Sequence, residues 1–407
     1  MFNVSFPKLE PQTLAVKLKA SSEKILLQSA HPWIYSDSID RINKEGAAGD
    51  IAILFRQKTN KVVGVGLYDP DSPIVIKMLH YYSGATLNRE FFRERIKKAS
   101  DLRRELLETK TNSYRLIFGE NDGFPGLIVD VYADVVVVQL HSAIWYPYIE
   151  DIFNEIIDVT KCTALVVRLN RFMLTLDNNP FEDGQVVYGT LQNEVVVFQE
   201  HGILFSANVI KGHKTGYFLD HRDNRRRVGS MSKGKTVLDV FAYAGGFSVH
   251  ALAGGAREVT SVDISKQALE LAKENALLNK FSGKHVTLAG DAFEILEEMR
   301  RKRRTFDIVV IDPPSFAKAE SGVDIALKKY YQLAQLGSSL VSPNGTLALA
   351  SCSSRVTADQ FFEQAESAMA KSHSSFKLVK KIFHDIDHPI SFKEGAYLKC
   401  GYYKRVR

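Results

Sequence analysis

The 407 residues include only three cysteines, Cys162, Cys352 and Cys400, an odd number with no metal-like spacing. Neither a disulfide framework nor a zinc knuckle can be built from them, and the set suits a reducing compartment. There is no run of about 18 apolar residues, so the sequence offers no transmembrane helix. Residues 1–10 hold Pro7 and Glu10 and no apolar core of a secretory signal, and a soluble cytoplasmic chain without a membrane partner is expected. Internal repeats, low-complexity tracts and the G-x-G-x-x-G dinucleotide signature are also missing, and no metal site is expected.

What is present is ordinary for a globular chain, with 45% hydrophobic and 25% charged residues over a length that accommodates two or three domains. The net charge of +6 permits a polyanionic partner without requiring one. Basic residues gather at Lys211, Lys214, Arg222 and Arg225 to Arg227, and again from Arg300 to Arg304. Each cluster reads either as a phosphate-neutralising footprint or as a solvated helix end.

The pattern of residues divides the chain into three. Short β runs at 14–19, 49–56, 61–68 and 73–79, broken by turns, suggest a small N-terminal barrel over 1–84. A helix over 86–108 then leads into a central α+β section, 85–200, with strands at 126–132, 135–141 and 163–169 and a helix over 146–159. From 201 to 407 strands and helices alternate regularly, which implies an α/β domain with a doubly wound, mostly parallel sheet.

The carboxyl ends of these strands carry the chemistry. The first runs through Asp239 and Phe241 to Gly245, Gly246 and Phe247, where glycines let a ligand approach the backbone. An acidic residue followed by a glycine pair, without a pyrophosphate cradle, fits a cationic, phosphate-free nucleoside, and S-adenosylmethionine is such a ligand. Asp263, 24 residues beyond Asp239 and followed by Ile264, suits a ribose hydroxyl. Asp291 with Ala292 and Phe293 suits an adenine, although each of these acids could instead cap the next helix.

The fourth strand delivers Asp312-Pro313-Pro314-Ser315-Phe316, a loop stiffened by two prolines, and the fifth delivers Cys352. Cytosine C5 is too weak a nucleophile to take a methyl group directly, so an enzyme first adds a nucleophile to C6. Cys352 is the candidate thiolate and Asp312 the candidate partner of N3 and the exocyclic amine; a small hydrophobe closing a strand is the plainer reading of the cysteine.

With these residues in view, the chain resembles the cytosine-C5 methyltransferases of large-subunit ribosomal RNA that carry an N-terminal PUA domain. The likeness runs from Lys19, Lys24, His31 and Trp33 in the barrel, through Glu120-Asn-Asp-Gly-Phe-Pro-Gly-Leu127 with Asp130, to the segment from Gly212 to Asp223. It implies a Rossmann-like class I methyltransferase fold, with Phe218, Asp220 and Arg222 bordering the donor. It also implies that Lys24, His31, Trp33, Lys214, Pro313, Pro314 and Phe316 meet RNA. The expected partners are large-subunit ribosomal RNA and a second copy of the chain as a homodimer. Two departures stand out: Pro314-Ser315 where many relatives have a second cysteine, which leaves the base that removes H5 unassigned, and His221 where they commonly have Gln, which argues against a direct role there. The competing functions are methylation of an exocyclic amine of guanine or adenine, gripped by the Asp312 loop, and a non-catalytic RNA-binding assembly factor.

Overall fold

A computed structural model describes residues 1–177, 179–317, 319–372 and 374–406. Chain contacts group into two units: residues 1–198, 207–217 and 386–393 form the first, and residues 199–206, 218–385 and 394–407 the second. The main division, at 198/199, lies two residues from the expected boundary at 200/201, whereas 84/85 falls inside the first unit. The barrel and the central section share the first unit, where Ser142 Oγ donates to Asp69 Oδ2 at 2.6 Å and Tyr148 Oη to the Gly49 carbonyl at 3.0 Å. Residues 386–393 join it because the backbone N–H of Arg115 donates to Asp387 and Arg103 reaches the Asp387 carbonyl.

In the first unit a six-stranded sheet has the order Trp33–Ile34, Ile76–Tyr81, Val62–Tyr68, Ile51–Phe55, Thr13–Leu18, Ile39–Ile42. Its buried residues, among them Leu14, Val16, Leu54 and Ile76, form one core. The helix Ala20–Ser29 was not legible beforehand, because Leu26 is its one buried residue among the described positions and no apolar stripe marks it. The long helix Arg89–Leu107 starts at Asn88, whose side chain accepts from Phe91 N–H, and buries Phe92, Ile96 and Leu106. A five-stranded sheet follows, in the order Gln185–Gly189, Ala164–Leu169, Val135–Leu140, Leu127–Tyr132, Ser113–Phe118.

The second unit holds a seven-stranded sheet in the order Lys284–Ala289, Glu258–Asp263, Thr236–Val240, Phe306–Ile311, Val341–Ser351, Lys399–Arg405, Phe376–Ile382. The first five strands are parallel; Lys399–Arg405 runs antiparallel to them, and Phe376–Ile382, antiparallel to Lys399–Arg405, again runs in their direction. The central strands bury an apolar middle, with Val237, Leu238, Val309, Val310 and Leu347 inaccessible, as helices on both faces of a parallel sheet demand. Strand order reverses at Thr236–Val240, the switch point at which such sheets leave a crevice at their carboxyl ends. Among the described residues no helix is long and apolar enough to cross a membrane.

Candidate active site

All of the chemistry-bearing residues described next belong to the second unit. Asp239 is the penultimate residue of Thr236–Val240, and the loop after it winds into the left-handed region at Phe241 (φ 64°), Tyr243 (φ 46°) and Gly245 (φ 75°). Two non-glycine residues in that region mark a backbone held there against its preference, as loops at ligand sites often are. Gly245 is obligatory for a second reason: a Cβ there would lie 2.8 Å from Ala272 Cβ.

Asp239 is fully buried. Its Oδ2 accepts from the N–H and hydroxyl of Ser248 at 3.0 and 2.6 Å, whereas Oδ1 has no hydrogen-bond partner among the described residues. Burial, with Asp312 and Asp263 nearby, pushes its pKa up to about 7 despite the Ser248 bonds. A buried carboxylate oxygen without a donor, in a group of three acids, is the environment that a cationic ligand relieves. Asp263 ends its strand and accepts from Tyr243 N–H at 2.9 Å and Ser265 N–H at 2.8 Å, while Ile264 beside it is 74% exposed and can cover an aromatic face. Asp291 caps the helix Ala292–Arg301 through Phe293 and Glu294 N–H, so the capping alternative is realised there. Ala292 is buried, and Phe293 packs against the unit's core.

Other expected donor residues are engaged within the chain. The Arg222 guanidinium is completely buried and pairs with Asp385 at 3.0 Å, and Asp220 accepts from Tyr397 Oη at 2.8 Å. Phe218 meets Tyr243 edge to face, and Phe247 meets the His221 ring.

Asp312 follows directly on Phe306–Ile311 and is partly exposed. Cys352 follows directly on Val341–Ser351, half-buried, with Sγ 3.7 Å from the Pro313 carbonyl. The two loops therefore touch. Phe316 packs against Tyr330, whose hydroxyl accepts from Ser351 Oγ at 2.9 Å. Cys162 and Cys400, by contrast, are buried, and burial raises both thiol pKa values.

Asn224, Lys399 and Tyr402 escaped the sequence, and so did the partner of His221. His221, buried, places Nε2 3.2 Å from Asp312 Oδ1. Tyr402 Oη donates to Asn224 Oδ1 at 3.0 Å, which turns the Asn224 amide nitrogen toward His221 Nδ1 and leaves Nε2 as the proton-bearing atom of the neutral ring. Burial opposes the imidazolium, yet Asp312 outweighs it and the His221 pKa rises. Lys399 Nζ donates to the carbonyls of Ser353, Val356 and Tyr397, holding the loop that bears Cys352, and burial lowers its pKa to about 8. The departure from Gln at 221 therefore stands directly against the Asp312 carboxylate.

The RNA-facing residues expected in the first unit divide in the same way. Lys24 and Lys214 are exposed, but Trp33 Nε1 donates to Glu120 Oε1 at 3.0 Å and its ring meets Phe392. The Glu120 to Asp130 motif acts internally as well. Arg103 pairs with Asp122 at 2.6 Å, and Arg115 forms a double contact with Asp130, which also accepts from Thr215.

Residues 156–403 match the family model of S-adenosylmethionine-dependent methyltransferases, and residues 16–81 match a PUA-like domain. The chain belongs to that methyltransferase family. It is 38% identical to a ribosomal RNA large subunit methyltransferase of Deinococcus radiodurans, over 98% of both chains, and 34% identical to ribosomal RNA large subunit methyltransferase I of Shewanella frigidimarina, over 95% of this chain and 98% of the relative. Two solved structures share its fold: a methyltransferase complexed with SAH, at a TM-score of 0.81 and 24% identity over 97% of this chain and 100% of the other, and an S-adenosylmethionine-dependent methyltransferase from Streptococcus mutans, at 0.79 and 24% over 96% and 99%. The Rossmann-like sheet, the PUA-like domain and the dependence on S-adenosylmethionine stand on these likenesses. Among the described residues there is no cluster of three or more His, Cys, Asp or Glu able to hold a metal ion.

Proposed function

We propose that this methyltransferase acts on C5 of a cytosine in large-subunit ribosomal RNA, with Cys352 as its nucleophile. The substrate class is drawn from relatives aligned over nearly the whole chain. The chemistry rests on one observation: the half-exposed Cys352 sulfur lies 3.7 Å from the Pro313 carbonyl, in contact with the loop led by Asp312.

S-adenosylmethionine supplies an electrophilic methyl group. Asp239 faces its cationic portion, Asp263 its ribose, and Ile264 and Phe293 its adenine, while Gly245 keeps the turn open. Addition of the Cys352 thiolate to C6 forms a carbon–sulfur bond and places an electron pair on C5. Asp312 hydrogen-bonds N3 and the exocyclic amine and supports protonation at N3. Once C5 carries the methyl group, loss of H5 as a proton and expulsion of the sulfur restore the ring. The target base leaves its stack to reach Asp312 and Cys352, between Pro313, Pro314 and Phe316. The PUA-like domain, with Lys24, and the exposed Lys214 contact the RNA backbone, and the work takes place in the cytoplasm, where ribosomes are assembled. Neither the relatives nor the fold lends support to a homodimer, and this reading does not use one.

RNA containing 5-fluorocytosine at the target cannot lose a proton from C5, so the wild-type chain should remain covalently attached to it, and Cys352→Ala should not. Cys352→Ala should also lose turnover on normal RNA. Full methylation by Cys352→Ala would instead support transfer to an exocyclic amine, which needs no adduct. Failure to bind S-adenosylmethionine in calorimetry would favour the non-catalytic assembly factor. Mass-spectrometric mapping of ribosomal RNA from cells with and without the protein locates the modified base.

A further inference from the structure

At the sheet edge opposite the aspartates, the strands of the second unit begin in a row of cations. Arg257 N–H donates to the Lys235 carbonyl at 2.9 Å, and Lys284 N–H to the Arg257 carbonyl at 3.0 Å. Lys235, Arg257 and Lys284 thus stand on successive rungs, about 4.8 Å apart. All three are exposed. Arg303 and Arg304, also exposed, precede Phe306–Ile311 on the other side of Thr236–Val240, and Lys404 faces Lys377 across the two antiparallel strands.

Local chemistry does not use up this charge. The carboxylates within the row are Glu258, 3.8 Å from Lys284, and Asp307, 3.9 Å from Arg257 and already accepting from Thr236. Helices Arg222–Met231, Gly246–Ala253, Lys266–Leu277 and Ala292–Arg301 end shortly before these strands start, and each C-terminus carries roughly half a negative charge. With Val323–Ser339 and Ala358–Ala370, which end just before Val341–Ser351 and Phe376–Ile382, carboxylates and helix ends together offset roughly five of the seven cations, a surplus of about two.

We propose that this edge is a second RNA-backbone surface, which holds phosphates of an RNA segment other than the one that presents the target base. The proposal rests on the reading of the chain as an RNA methyltransferase. Strands of five or six residues separate the two edges by roughly 17–20 Å, so a short strand bound at Asp312 and Cys352 does not reach the cations, whereas a folded ribosomal RNA domain does. A lipid surface would call for apolar anchors among the cations, and Thr236, Glu258 and Asp307 stand there instead.

The test uses the full chain carrying Lys235→Gln, Arg257→Gln and Lys284→Gln, and separately Arg303→Gln with Arg304→Gln, each checked by thermal melting. Filter binding to a structured fragment of large-subunit ribosomal RNA, without cofactor, is followed from about 50 to 300 mM KCl. Each lost phosphate contact should flatten the slope of log affinity against log salt by about 0.7–0.9, so the triple variant should lose about 2 in slope and at least tenfold in affinity near 100 mM. Its turnover on the shortest RNA that is methylated should equal that of the wild type.

Wild-type slopes in both variants overturn the proposal, and lower melting with unchanged slopes would show that the cations serve only the helix ends. Lost adsorption to phosphatidylserine vesicles with unaltered RNA binding would assign the edge to lipid and overturn it too. A wild-type chain that binds RNA through this edge but methylates no ribosomal RNA would sink the functional reading alone; methylation with unchanged variant slopes would sink the surface alone.

Discussion

Asp239 should make the ligand-free protein less stable than it could be, and replacing it with Asn should raise stability while abolishing donor binding. In the folded state its pKa stands near 7, against 3.8 for the unperturbed group. Below about pH 4 both folded and unfolded states carry the proton and there is no penalty. As pH rises toward 7 the unfolded chain ionises first, so stability is lost through this window and stays lost above it. A rise of roughly three units, at about 1.4 kcal/mol each, sets an upper bound of about 4 kcal/mol. Asn keeps an oxygen for the Ser248 N–H and hydroxyl but carries no charge to bury.

In thermal melting without ligand, Asp239→Asn should therefore melt above the wild type at pH 8, by at most about 8–16 °C at roughly 2–4 °C per kcal/mol. The gap should close as pH falls toward 4. Saturating S-adenosylhomocysteine should stabilise the wild type and leave the variant unmoved. A variant that melts at or below the wild type at pH 8, or a gap indifferent to pH, would refute the reasoning that burial without a partner governs this carboxyl.

Lys399→Met removes an ammonium from three carbonyl oxygens, two of them in the loop that holds Cys352, and should cost about 3–5 kcal/mol at roughly 1.5–3 kcal/mol for each charged hydrogen bond, less what the shorter side chain recovers by packing. Because Cys162 and Cys400 are buried, iodoacetamide reports on Cys352, and its alkylation near pH 7.5 should slow several-fold in Lys399→Met and be partly restored in Lys399→Arg; an unchanged rate counts against the loop's dependence on this cation. Gly245→Ala combines a positive φ with a Cβ clash against Ala272 and should weaken binding of S-adenosylhomocysteine at least tenfold in calorimetry, with wild-type affinity showing instead that the turn can relax.

The second unit was legible in the sequence because its parallel strands are buried on both faces and end in aspartates, so the sequence alone assigns Asp239, Asp263 and Asp312 each to a strand end. What the sequence hid depends on pairing across long separations. Lys399 lies 46 residues from Ser353, and the His221 contact with Asp312 joins residues 91 positions apart, so no local periodicity betrays either. Arg222 and Asp220 are a different case: their motif marked the right neighbourhood, but Asp385 and Tyr397 engage them from the far end of the chain. In the first unit, Ser113–Phe118 and Gln185–Gly189 were missed because short edge strands carry little alternation, and the Glu120 to Asp130 motif reads as chemistry until Arg103 and Arg115 are seen to occupy its carboxylates.

The two edges of the methyltransferase sheet have opposite charge, and the two substrates differ in the same sense. Asp239, Asp263, Asp291 and Asp312 gather at the carboxyl edge, a field that attracts a cationic donor and repels phosphates. Over the Debye length of about 8 Å at physiological salt, that repulsion reaches the first nucleotides around an inserted base. An RNA therefore gains little from approaching the acidic edge by itself, and the energy that brings a target nucleotide there must come from cations placed elsewhere on the chain. The net charge of +6 is the small remainder of this separation, and so total charge understates how strongly the chain should respond to salt.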